Sequence, residues 1–144
     1  MTWTASWQFW AILSAVFAAL TAVFAKVGVA GVNPDFATFI RTIVIIGALA
    51  VILSMTGQWQ PPGVVSQRTW VFLILSGLAT GASWICYFRA LQIGQAAQVA
   101  PIDKMSVVLV ALFGVSFLGE KLSLVNWAGI GLIATGAVLV SIRA

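Results

Sequence analysis

Five long apolar segments fill this chain, and the fourth carries the pair Asp103–Lys104 well inside its length. A span needs roughly 20 consecutive apolar residues to cross a hydrocarbon core of about 30 Å, and each segment approaches that length. A soluble fold of 144 residues has no use for 62% hydrophobic residues with only 7% charged. The chain is therefore expected to be an all-α integral membrane protein with five transmembrane helices. A charge at the centre of a span costs roughly 2.5–3.5 kcal/mol on insertion scales, so Asp103 and Lys104 are functional candidates by position alone.

No polar stretch is long enough to fold alone, so residues 1–144 are read as a single membrane domain. The net charge of +4 comes from seven Lys/Arg against three Asp/Glu. Those cations are scattered singly at helix ends and in loops, which reads as interface anchoring and not as a nucleic-acid surface. There is no His and one Cys, and no span holds paired carboxylates. Metal sites and general acid–base pairs lack material, so an enzyme is not expected, and no cofactor is assigned. Cys86 is expected to pack as a small buried hydrophobe. Residues Met1 to Trp10 carry three Trp and no Lys or Arg. Without a positive n-region the first segment reads as a retained span, not a signal peptide. Trp3, Trp7, Trp10, Trp59, Trp70 and Trp127 fall near segment ends, as an interfacial aromatic belt does.

The spans are placed at about 9–29, 36–55, 70–91, 96–118 and 124–142. Asn33-Pro34 makes the first turn, and the stretch from Gly57 to Gly63 breaks any helix. Gly119 suits the left-handed position just past the fourth span, and Ser123 suits the N-cap of the fifth. An odd number of spans puts the two ends on opposite sides. One side receives Arg68 and Lys121; the other receives Lys26, Arg89 and Arg143, with Arg41 if it snorkels. That bias leans toward C-terminus inside, and is small enough to suit a chain inserting in both orientations.

Trp10, Ser14, Phe17, Thr21 and Phe24 share one face of span one, and Ser76, Thr80, Ser83 and Tyr87 share one face of span three beside Trp84. Hydroxyls and aromatics on one face suit a narrow polar cavity, so Trp10, Ser14, Thr21, Thr80, Trp84 and Tyr87 are the candidate solute-lining residues. The alternative is that these hydroxyls bond to their own preceding turn or across helices. Gly77 and Gly81 form a GxxxG, and Ala128, Gly131 and Thr135 a small-residue stripe, both read as packing surfaces. Asp103 lies roughly 10 Å along its span, counting from Ala96. Pro101 just before it is expected to kink the helix. Two readings of Asp103 stay open: a proton- or cation-responsive group, or a permanent ion-pair partner of Lys104 or of Arg41.

The second half of the chain resembles the EamA domain of the drug/metabolite transporter superfamily. The residues that carry it are Ala90-Leu91, Gly94, Ala96, Val99, Pro101-Ile102, Leu118-Gly119-Glu120, Leu122-Ser123, Trp127, Gly129, Ile133 and Gly136. Ala25-Lys26 and Phe39-Ile40-Arg41 match more loosely. Larger members carry two such units in opposite orientations, and the resemblance implies that this unit is one half of an inverted-repeat transporter. A small secondary transporter of a small metabolite or drug-like solute is the expected function, working by alternating access as an antiparallel homodimer in the cell membrane (the inner membrane in a Gram-negative bacterium). Asp103 would couple transport to an ion gradient, with Arg41 favouring its charged form. A non-transporting accessory subunit or a lipid flippase is the alternative.

Overall fold

Apolar runs in lipid have no water to satisfy their backbone, so each becomes a helix that bonds its own N–H and C=O groups. The computed structural model describes residues 6–142; Trp3 and Arg143, counted above among belt and cations, lie outside them. Six helices follow in order: α1 (Trp7–Gly28), α2 (Pro34–Thr56), α3 (Gln67–Ile93), α4 (Ala96–Asp103), α5 (Ser106–Phe117) and α6 (Leu124–Ser141), with a 3₁₀ turn at Pro62–Val64. α4 and α5 together make one span, Ala96–Phe117, so five stretches are long and apolar enough to cross a membrane. No strand occurs among the described residues.

The helix ends follow local chemistry. Asn33 caps α2, its Oδ1 accepting from the N–H groups of Asp35 and Phe36 at 2.9 and 3.2 Å, with Pro34 in the first turn. Ser66 accepts from the Thr69 N–H at the start of α3, and Ser123 accepts from the Asn126 N–H at the start of α6. α2 stops at Gly57 (φ 64°) and α5 is followed by Gly119 (φ 70°), a backbone region where a side chain would be strained.

The fourth span departs from regular helix after Pro101, not at it. Pro101 sits inside α4, and the change comes at Lys104–Met105. There the bonds tighten to i→i+3: Met105 N–H to Ile102 O at 2.9 Å and Val107 N–H to Lys104 O at 3.0 Å. Both residues stay in the right-handed region (φ/ψ −70/−6° and −58/−19°), so the chain is pinched without being unwound.

The chain divides into two compact units, Ala25–Gln92 and the residues on either side of it. In Ala25–Gln92 the buried residues are Ala25, Val29, Thr38, Phe88 and Leu91, at the close of α1, the start of α2 and the close of α3. In the other unit α4 and α5 pack against α6, with Ala111, Gly114 and Ala137 buried. Most large apolar side chains point outward, among them Val44, Ile46, Leu78, Val110 and Leu132 at 60% exposure or more. An outward apolar surface of that extent is stable only against lipid or another protein.

Candidate functional site

The polar end of Ala25–Gln92 is built where α1 closes, α2 opens and α3 closes. The Lys26 ammonium donates to the Leu91 carbonyl at 2.6 Å, in the last turn of α3, where free carbonyls attract a cation. The Gln92 amide donates to the Val32 carbonyl at 3.1 Å. Arg89 grips Asp35 through Nη2 to both carboxylate oxygens, at 3.0 and 2.8 Å, with Nε at 3.3 Å from Oδ1. Both side chains of that pair are half exposed.

Moving six residues into α2 from Asp35, and five back along α3 from Arg89, reaches the next pair in the antiparallel register: Arg41 and Trp84. The Arg41 guanidinium lies 3.1 Å from the centroid of a Trp84 ring and 5.9 Å from that of Phe88. Trp84 meets Tyr87 edge-on and Phe88 at a tilt, both with ring centroids 5.9 Å apart. Arg41, Trp84 and Tyr87 are half-buried, over the buried Phe88. A stacked guanidinium gains about 0.5–2 kcal/mol from the ring, rising as water is removed.

In the other unit Lys104 Nζ lies 3.2 Å from Asp103 Oδ2, at the pinch in the fourth span. Glu120 follows the left-handed Gly119, and its N–H bonds back to the Gly114 carbonyl at 3.0 Å. Its side chain folds over Gly114, where an added Cβ would lie 2.5 Å from Glu120 Oε2. The Leu118-Gly119-Glu120 signature is thus a turn anchored on a bare glycine.

Of the sequence-derived site residues, Arg41, Trp84 and Tyr87 gather in one cluster, and Asp103 and Lys104 form another. Thr80 is exposed and donates its hydroxyl to the Ser76 carbonyl of its own helix at 2.8 Å. Thr38, Thr42 and Thr135 bond their preceding turns in the same way. Trp10 is exposed and meets Phe9 edge-on at 5.4 Å; Ser14 is exposed and Thr21 half-buried, all three on α1. Cys86 does not pack inside but lies exposed. It stands two residues from both Trp84 and Phe88, about 200° around the helix from the face they share. At Gly77 and Gly81 an added Cβ would meet no atom within 4 Å among the described residues, so the face of this GxxxG is open within the chain.

Two features escaped the reading of the sequence. The Asp35–Arg89 bridge was signalled only by both residues falling at the same end of neighbouring spans. The Arg41–Trp84 stack had the signal of equal depth in an antiparallel pair, outweighed by the stronger attraction expected between Arg41 and a carboxylate.

The EamA-like transporter family matches residues 5–142. An "uncharacterized transporter in cobO 3′ region" from Sinorhizobium sp. is 66% identical over 137 residues, covering 95% of this chain and 97% of that protein. A probable 4-amino-4-deoxy-L-arabinose-phosphoundecaprenol flippase subunit ArnE from Hamiltonella defensa is 30% identical over 84 residues, 58% of this chain and 74% of that one. Human solute carrier family 35 member G1 is 37% identical over 111 residues, which are 76% of this chain and 29% of that protein. No solved structure matches. These relatives are named as transporters or flippase subunits, not as enzymes. With five apolar helices and a family match along nearly all its length, this multi-pass membrane protein belongs to the EamA-like transporter family.

Proposed function

We propose that the chain is a small secondary transporter that moves a small solute by alternating access between two oppositely oriented copies. The observation that carries this reading is the single five-span unit matched to a transporter family across residues 5–142. Two such units related by a two-fold axis in the membrane plane recreate the inverted repeat on which alternating access depends. The small cation bias between the two sides favours insertion both ways, and the open faces above Gly77 and Gly81 offer close approach to a second helix. Trp10, Ser14, Thr21, Thr80, Trp84 and Tyr87 would line the solute path. Asp103, at the pinch of the fourth span and beside Lys104, would couple movement to a proton or cation gradient. The inner membrane is the location this reading assigns in a Gram-negative cell.

Accessibility of tags on both ends in intact cells tests the arrangement. Both ends reached from both sides is the expected result, and one fixed orientation removes the antiparallel pair. Currents from proteoliposomes challenged with carboxylates, phosphates and organic cations test transport itself. In that assay Asp103→Asn is expected to remove the dependence on a pH gradient; an unchanged dependence rules Asp103 out as the coupling group. The likeness to an ArnE-type flippase subunit favours one second reading, a lipid-moving subunit that works with a different partner chain. Co-purification with a heterologous membrane protein, and no homodimer on crosslinking, would select it.

A further inference from the structure

The two arginines at the polar end of Ala25–Gln92 are treated differently. Arg89 has its charge matched within the chain by Asp35. Arg41 has rings instead, Trp84 at 3.1 Å and Phe88 at 5.9 Å, and its nitrogens meet no oxygen acceptor among the described residues. Stacking engages only the flat face of a guanidinium. Its five N–H donors lie along the edge, in the fork that fits a carboxylate or phosphate through two parallel bonds.

Depth separates this arrangement from ordinary snorkelling. A snorkelling arginine stretches toward the membrane boundary. Arg41 instead stacks on a residue five positions deeper in α3 than Arg89, roughly 7 Å further from the helix end. The ring holds the cation inward with its donor edge unspent. A charge held so within a span is a binding candidate when no partner in the chain neutralises it.

We propose that Arg41, held flat on Trp84, receives an oxyanion of the transported molecule, a carboxylate or a phosphate, and so selects anionic solutes. This rests on the transporter reading above and names its substrate class. The oxyanion comes from a soluble metabolite or from a lipid headgroup, two sources with the same chemistry. Trp84 is a positioning residue, and Arg41 makes the contact.

The test uses the full chain in phosphatidylcholine nanodiscs, with thermal unfolding followed at constant ionic strength. Sodium phosphate and sodium succinate are expected to raise the unfolding temperature relative to chloride, and tetraphenylphosphonium to have no effect. Arg41→Gln should weaken the apparent affinity for the stabilising anion at least about tenfold, the loss of a charge-assisted bidentate contact. Arg41→Lys should retain part of it, and Trp84→Phe should weaken it less than Arg41→Gln. If phosphatidylglycerol added to the disc stabilises where soluble anions do not, and Arg41→Gln abolishes that effect, the oxyanion is a headgroup. Stabilisation by the cation alone, by none of the probes, or equally in Arg41→Gln and the parent overturns the proposal. Should Arg41→Gln fail to fold, the order of the probes on the parent and on Arg41→Lys decides it. Proteoliposome currents separate the two readings: currents unchanged in Arg41→Gln leave a transporter without this site, whereas Arg41-dependent binding without current leaves the site without transport.

Discussion

Two regions of this chain hold polar contacts that differ in their reach along the sequence. In Ala25–Gln92 the contacts of Arg89 with Asp35, Gln92 with Val32 and Lys26 with Leu91 join residues 54, 60 and 65 positions apart. In residues 93–142, Asp103 meets its neighbour Lys104, Ser123 meets Asn126 three residues on, and Thr135 bonds Gly131 four back, all of them local contacts. The first unit is therefore tied at one end by tertiary contacts, which suits holding a charged group in fixed geometry. The second rests on small residues between α4, α5 and α6 and contains the pinched helix, which suits a change of shape.

That contrast predicts where substitutions hurt. Leu91 has no exposed surface and lies where α3 closes. Leu91→Ala should lower stability by about 2–3 kcal/mol in a reversible denaturation series in detergent, near the low end for cavity creation because lipid-like surroundings weaken the transfer part. A loss under about 0.5 kcal/mol, the level of an ordinary surface change, would mean the tertiary tie is illusory. Next comes the second unit's own close contact. Gly114→Ala should change stability by less than about 0.5 kcal/mol, because only the exposed, flexible side chain of Glu120 must move aside and alanine favours the helix. A larger loss would show that the turn after α5 needs the bare glycine.

Smaller effects sharpen the same comparison. Asp35→Arg or Arg89→Asp alone should reduce the unfolding temperature slightly, since both side chains are half exposed, and the swapped pair should restore it. Additive losses in the double variant would show that the bridge carries no coupling. Thr135→Ala removes only a hydroxyl bonded to its own helix at Gly131 and should change stability by less than about 0.5 kcal/mol. A larger loss would reveal a packing role for α6 that the local bond conceals.

Much of this was legible in advance, for reasons that differ by residue. The span bounds deviate by no more than three residues from those placed by hydropathy, with α3 beginning at Gln67 instead of near Trp70. Asn33, Gly119 and Ser123 act at helix ends as their chemistry suggests, because capping involves only atoms a few residues away. Cys86 was expected inside and lies exposed, because a residue type does not say which side of a helix meets a neighbour.

The sequence by itself determined five membrane-length helices and their family, since twenty apolar residues in lipid leave the backbone no partner except its own helix. Only the tertiary structure decided how the charges are matched. An arginine within a span is stabilised by a carboxylate, a carbonyl or a ring, and its position in the chain does not choose among them. The antiparallel register of α2 and α3 does, placing a carboxylate beside Arg89 and an indole beside Arg41.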